Sequence, residues 1–369
     1  MAVPMENEHK PFGKQTQFFE DMVQYFQPPR LLLFFFSPFS WFKHENTIPG
    51  LTFDGERWRQ AESKKPSLVY DRSFSTDAQS ISSLVTIRHA MVQEGVEIFN
   101  APGIQDFAVD KLITSLWQES HGMPYLAAWP LPRFLDSPPL QSGTSYYIKP
   151  IRGSRGQGVM RLKCHSRSLE LTEAETNRTY GFNSTIELSA FLDKAVDKSN
   201  YMAQEAADIY PFEGRPFDMR VIVQRQGEGF KMTGSGIRLG ENSSIVSNLS
   251  AGGSAISTEE FIERYLAASG QDLSAHISKA VSQCLDFTHK LSEELGELVE
   301  LGFDVLLTQN KGPIILEVNA KPSRWLFVQI ADHQLSQGHD PLPFMQLRKR
   351  TVTNPLKYAL TRLSDGKGN

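Results

Sequence analysis

Cysteine is nearly missing from this chain. Of 369 residues only Cys164 and Cys284 are cysteines, and neither belongs to a C-x-x-C pair, which excludes a disulfide framework and a cysteine-based zinc site. Long apolar runs are missing too. The most apolar stretch, LLLFFF at 31–36, runs straight into Ser37, Pro38 and Ser40 and falls short of the ~20 residues that span a bilayer. The first residues, MAVPMENEHK, have no apolar core of the signal-peptide kind. A net charge of −4 lacks the positive excess of a general nucleic-acid binder. No G-K-[ST] follows a glycine-rich loop, so no P-loop is present, and no internal repeat or low-complexity tract interrupts the pattern. The expectation from these absences is a soluble, cytoplasmic protein of a reducing compartment, with neither membrane nor nucleic acid as partner.

What is there centres on residues 301–321, LGFDVLLTQNKGPIILEVNAK. Two apolar runs flank a polar stretch at 309–312, which is a hairpin pattern. If Asn310 and Lys311 form a two-residue loop, counting outward sets Asp304 opposite Glu317, and opposed strand residues have Cβ atoms roughly 4.5–5.5 Å apart. Asn319 lies two residues beyond Glu317 and shares its face. Two carboxylates and an amide oxygen on strands suit Mg²⁺. A bulge at Gly312 would instead shift the pairing by one and send the carboxylates to opposite faces.

Upstream, 145–163 reads strand, glycine-rich loop, strand: SYYIKPIRGSRGQGVMRLK. Gly153, Gly156 and Gly158, around Ser154, allow left-handed angles that turn N–H groups toward one anion, and Lys149 on the preceding strand brings an ammonium to the same phosphates. A flexible hairpin is the plainer alternative for the glycines alone. In YMAQEAAD at 201–208 a short strand ends at Gln204 and Glu205, where unpaired backbone groups could meet a purine edge. Asp218 and Arg220 in GRPFDMRVIVQ share a strand face, either at a site or as a surface ion pair. The loop 246–253, VSNLSAGG, ends in Gly252 and Gly253, where backbone can approach a ligand closely.

The rest of the chain predicts a helix over 15–27, a buried strand over 31–36, a strand at 67–70, a helix-like stretch to about 93, a strand at 96–99 and an amphipathic helix over 106–121 with Ile113 and Leu116 on its apolar stripe. A proline-rich connection at 129–139 follows. Helices are expected over 257–269, opened by Ser257 and Glu260 as a capping box, and onward to about 295 with Cys284 in the core. The fold class is mixed α/β (α+β), divided as an N-terminal α/β domain at 1–100, a linker helix and central subdomain at 101–200, and a C-terminal subdomain bearing the metal site at 201–369.

This order of parts resembles the ATP-grasp superfamily, and GRPFDMRVIVQ, IVSNLSAGG and LEVNAKPSR resemble its YheC/YheD family, described as endospore coat-associated. The resemblance implies an ATP-grasp fold behind an N-terminal α/β pre-ATP-grasp domain. It also implies ATP and Mg²⁺ as cofactors, and a carboxylate substrate and an amine acceptor, an amino acid or peptide, as partners, with spore coat proteins as further ones. Similarity to RimK-type glutamate ligases implies that Glu205 and Ala206 meet the adenine, that Asp218 lies near the ribose and that Asn248 reaches the phosphates or a second metal. Those ligases carry an arginine where this chain has Val246, and Arg220, Arg238, Lys321 and Arg324 are candidates for the missing positive charge. Lys321 and Arg324 are expected at the mouth of the cleft as carboxylate contacts, unless they are ordinary surface cations.

Overall fold

A computed structural model describes residues 10–28, 32–44, 46–74, 78–153, 156–241 and 253–365. Helix α1 (Thr16–Tyr25) buries Phe19 and Met22 and ends before Pro28, as the periodicity predicts. The expected strand over 31–36 does not form: the described part, 32–36, is irregular and makes one bridge, Phe35 to Leu51. Its rings pack by geometry instead of by ladder, with Phe35 edge-on to Trp58 at 5.2 Å. A hairpin that the polar sequence hid, β1 (Thr47–Phe53) and β2 (Trp58–Lys64), supports them. Then β3 (Leu68–Tyr70), α2 (Ala78–Gln93) and β4 (Glu97–Phe99) make a β–α–β unit, its strands parallel.

The predicted helix over 106–121 is broken into α3 (Pro102–Ala108) and α4 (Lys111–Ser120). Asp110 causes the break. It is the extended N-cap of α4, and its side chain accepts from the Ile113 N–H. The proline cluster at 129–139 holds β5 (Ala128–Pro130) and α5 (Leu131–Asp136) in place of the expected connection. With β6 (Ser145–Pro150), β7 (Met160–Cys164), β8 (Leu169–Glu173), β9 (Thr179–Phe182), α6 (Thr185–Ala195) and β10 (Tyr201–Glu205), β5 completes an antiparallel six-stranded sheet in the order β5-β10-β6-β7-β8-β9. Its core is Leu131, Phe134, Ile148, Leu162, Leu171 and Leu192.

A second antiparallel sheet has five strands, β11 (Phe217–Gln226), β12 (Gly229–Leu239), β13 (Ser254–Ile256), β14 (Glu300–Thr308) and β15 (Gly312–Asn319), in the order β13-β12-β11-β14-β15. Alternation sends Met219, Val221, Ile237, Phe303 and Val305 to one face. There they meet Phe261 of α7 (Thr258–Ser269) and Ile277, Cys284 and Phe287 of α8 (Ser274–Leu295). Helix α7 opens on the expected cap, the Glu260 N–H donating to Ser257 Oγ at 3.0 Å, and closes on left-handed Gly270. The opposite face is apolar only around Ile222, which α9 (Trp325–Ser336) covers with Leu326, Phe327 and Ile330. The last helix, α10 (Leu342–Asp365), returns to the start of the chain and packs Val352 and Leu356 against Phe19, Met22 and Phe35.

Candidate active site

The polar part of the second face is built on the β14–β15 hairpin. Its turn is one residue longer than expected: Thr308 pairs with Gly312, which takes a left-handed φ of 73°, the bulge foreseen as the alternative. That offset would separate the carboxylates. A second irregularity, at Leu316, restores the count, so Asp304 pairs with Glu317 and Gly302 with Asn319. The turn is also tied to the segment that follows β10: Gln309 N–H donates to Asp208 O at 2.9 Å and Asn310 Nδ2 to Asp208 Oδ2 at 2.8 Å.

Cross-strand pairing extends this patch. Arg220 on β11 sits opposite Asp304, and Asp218, two residues before it, sits opposite Arg238 on β12. The side chains interlock: Arg220 Nε donates to Asp304 Oδ1 at 2.5 Å, Arg238 Nε to Asp218 Oδ1 at 2.6 Å, and Arg238 Nη2 reaches Asp304 Oδ2 at 2.8 Å. Burial opposes the charge on Asp304, but the two guanidinium groups outweigh it and hold its carboxyl below the ordinary value. Burial likewise works against Arg238, and Asp218 and Asp304 together raise it. In this state both arginines hold carboxylates; neither projects free.

Two ammonium groups face this patch from the first sheet's side. Lys149 is 6% exposed, and burial pushes it down to about 8 although Glu317 and Asp304 favour its charge. Lys111, at the first turn of α4, donates to Gly153 O at 2.8 Å and lies 3.9 Å from Glu317 Oε1. Sequence reasoning passed over Lys111 because it read one continuous helix. The signal was Asp110, an N-cap residue that starts a new helix and brings the next side chain to its mouth. The same helix corrects another expectation. Its aliphatic stripe faces outward, with Ile113 and Leu116 exposed, while Thr114, Ser115 and Gln118 are buried. Helix α4 contacts both β5 and β15, so its inner face needs polar partners. Ser115 Oγ accepts from Gln204 Nε2 at 2.7 Å.

That bond places the Gln204 side chain against α4. The backbone at this strand end is also less open than expected, since the Glu205 N–H donates to Ala127 O and the Ala206 N–H to Ser145 O. Strand β10 is internal to its sheet, which is why these donors are taken. The Glu205 carboxylate pairs with Lys311 Nζ at 2.8 Å, beside a cavity of about 420 Å³ lined also by Met123, Pro124 and Tyr125. In the glycine loop, Gly153, Gly156 and Gly158 all have positive φ (137°, 71° and 66°). The Gly158 N–H donates to Glu175 Oε1 at 3.1 Å, so a carboxylate already occupies one of the expected anion donors. Ser154, Asn248 and Gly252 lie outside the described residues; Gly253 leads directly into β13.

Lys321 and Arg324 are not at a cleft mouth. Pro322 folds back over Gly302, where a Cβ would stand 2.6 Å from the proline Cβ, so only glycine admits this return. Lys321 Nζ then donates to Asp71 Oδ2 at 3.0 Å and Ser73 O at 2.7 Å. Arg324 is 2% exposed and pairs with buried Glu300, which also takes Arg72 Nη1 at 3.1 Å and the Tyr70 hydroxyl at 2.5 Å. Arg324 is thus an internal counter-ion, correcting its expected place.

The donor set fits a hard cation. Asp304, Glu317 and Asn319 share one face, and the buried Asn319 Nδ2 has no hydrogen-bond partner among the described residues. A half-turn of that amide exchanges nitrogen for oxygen without losing a bond. Among the described residues no three His, Cys, Asp or Glu side chains cluster as a metal site. Around it, Asp218, Asp304 and Glu317 stand against Arg220, Arg238, Lys111 and Lys149, a surplus of positive charge suited to a polyphosphate arriving with its metal.

The chain is 23% identical over 324 residues to the endospore coat-associated protein YheD of Bacillus subtilis (strain 168), covering 86% of this chain and 70% of that protein. It is 24% identical over 306 residues to YheC of the same organism, covering 76% and 77%. Among solved structures, D-alanyl-alanine synthetase A from Vibrio cholerae superposes with a TM-score of 0.49 at 12% identity over 92% of this chain and 93% of that one. Residues 135–361 match the family described as YheC/D like ATP-grasp, and the chain belongs to that family.

Proposed function

We propose that the protein is an ATP-dependent carboxylate–amine ligase that works through an acylphosphate. The observation that carries this reading is the convergence of Asp304, Glu317 and Asn319 on one sheet face opposite Lys149 and Lys111. Asp304, Glu317 and Asn319 would hold Mg²⁺, which when bound supplies charge neutralisation between the phosphates. Lys149 and Lys111 neutralise phosphate oxygens from the other side, Asp218 lies toward the ribose, and the strand end at Glu205 and Ala206 borders the base through groups other than their N–H donors. Arg220 and Arg238 pass from Asp304 toward the developing charge. The acid's oxygen attacks the γ-phosphorus, ADP leaves, and the amine displaces phosphate from the acylphosphate to give the amide. The loop at Gly153, Gly156 and Gly158 excludes the water that would otherwise hydrolyse the intermediate. The relatives' names direct the search for acid and amine to the components of a spore coat.

A second reading, an ATP-binding structural coat protein without turnover, is favoured by one observation: both Asp304 oxygens are held by arginines. ADP and phosphate release from MgATP over a panel of amino acids and peptides separates the two. The ligase reading expects release that needs both an acid and an amine and is abolished by Glu317→Gln. Nucleotide bound tightly at equilibrium, with no pair stimulating release, supports the structural reading instead.

A further inference from the structure

We infer that Asn100 is a positioning residue for the metal hairpin, an assignment that rests on the ligase reading of Asp304, Glu317 and Asn319. Asn100 follows β4, outside the five-stranded sheet, and is 2% exposed. Its side chain uses all of its hydrogen-bonding capacity on the two metal-bearing strands. Oδ1 accepts from the Val299 N–H at 2.8 Å and the Glu300 N–H at 3.1 Å, where β14 begins. Nδ2 donates to Glu300 O at 2.7 Å and to Ala320 O at 3.0 Å, one residue past Asn319. Four bonds in these roles also leave no doubt which side-chain atom is nitrogen: reversing the amide would set two carbonyls against an oxygen.

The position of this staple gives it its meaning. The β14–β15 ladder ends at the Gly302–Asn319 pair, and the chain then turns at Pro322, which has no N–H to continue it. Without Asn100 the Ala320 carbonyl would be buried and unpaired, and nothing in the ladder beyond Asn319 would fix the end of β15. The asparagine supplies that missing rung from the N-terminal part of the chain. Asn100 is itself held, because Gln105 Nε2 donates to its carbonyl oxygen at 2.8 Å and the Ala101 N–H to Glu297 O at 2.9 Å. It touches no reacting atom. It acts through Asn319, whose amide must point at the cation.

The substitution that isolates this role is Asn100→Asp. The carboxylate keeps the acceptor bonds to 299 and 300 but turns an oxygen toward Glu300 O and Ala320 O, breaking the rung beside Asn319. The full chain is titrated with Mn²⁺ in the presence of a non-hydrolysable ATP analogue, free Mn²⁺ being read by electron paramagnetic resonance. Partners that orient metal ligands typically carry 10–100-fold in affinity, so the variant is expected to hold Mn²⁺ at least tenfold more weakly and to raise the Mg²⁺ half-saturation of turnover in the same ratio. Asn100→Ala, which leaves the carbonyl unpaired without repelling it, carries the same expectation where the aspartate variant does not fold. Leu188→Ala, in the core of the other sheet, supplies a matched loss of stability with unchanged Mn²⁺ affinity. Wild-type retention of Mn²⁺ with unchanged affinity in both Asn100 variants overturns the positioning role alone. A wild-type chain that retains no Mn²⁺ with the nucleotide overturns the ligase reading, and the positioning role with it.

Discussion

Lys149→Met is expected to make the nucleotide-free protein more stable while removing its response to ATP. The reasoning starts from a buried ammonium, 6% exposed, that burial pushes from 10.5 down to about 8. A displacement of that size means the protein disfavours the charged form by about 3 kcal/mol. Methionine has similar length and no charge, so at pH 7 the variant should gain about 1–3 kcal/mol, the loss of Glu317's attraction accounting for the shortfall. The folded value lies below the unfolded one. Between about pH 8 and 10.5 the unfolded wild-type chain therefore binds more protons than the folded chain, and wild-type stability rises with pH relative to the variant. The gap is full below about pH 8 and closes by about 10.5. Urea unfolding of both proteins at pH 7, 8, 9 and 10 reads the gap, and repeating the series with MgATP should stabilise the wild type alone. A variant less stable than wild type at pH 7, or a gap that does not change with pH, would refute the account of Lys149 as a charge retained against its own stability.

Two further perturbations test the frame of the site. Glu300→Gln leaves Arg72 and Arg324 buried without their shared carboxylate and should cost about 3–5 kcal/mol, read as a fall in urea midpoint; a loss below about 1 kcal/mol would show that the cluster is not the anchor. Gly302→Ala drives a Cβ to 2.6 Å from Pro322 and should cost about 1–3 kcal/mol, with a loss of metal affinity as residues 320–324 are pushed off the sheet, read by calorimetry and Mn²⁺ titration.

Residues close in sequence and locked to strand alternation were legible without coordinates; those paired across hundreds of positions were not. Asp304 opposite Glu317 follows from counting, yet the count succeeded through two offsetting irregularities, at Gly312 and Leu316, that composition does not disclose. Alternation also placed Asp218 and Arg220 on one face. It could not show that Arg220 and Arg238 spend their guanidinium groups on Asp304, since that depends on which strands are neighbours. Lys321 and Arg324 read as site cations because their partners, Asp71 and Glu300, were invisible: one lies 250 residues away, and the other sits in a strand where an acid next to Leu301 gives no local sign of its burial. Helix α4 failed for a different reason. Its hydrophobic stripe divides: Trp117 packs on Phe287 of α8 at 4.4 Å, while Ile113 and Leu116 stay exposed and the buried Ser115 meets Gln204 instead.

The strand that carries Asp304 shows how the fold reconciles a rigid frame with an exchangeable site. Glu300, Gly302 and Asp304 point to the same face of β14, and the two carboxylates are treated oppositely along it. Glu300 is fully buried and saturated by Arg72, Arg324, Tyr70 and Gln224, side chains drawn from the N-terminal segment, the sheet and the turn after β15. Such a cluster has no access to solvent ions, and its members cannot leave without stranding a charge. Asp304, four residues on, is held by two arginines at the margin where the side chain of Glu317 is already 29% exposed. A carboxylate offers about four acceptor positions, and two guanidinium contacts leave room for a cation on the remaining lone pairs. On the proposed ligase reading, an incoming polyphosphate competes for the same guanidinium groups, so that metal and nucleotide together would replace what the arginines supply, whereas neither would disturb Glu300. Stability is therefore concentrated at one end of the strand and the proposed chemistry at the other, with Gly302 between them as the point where the chain folds back over the sheet.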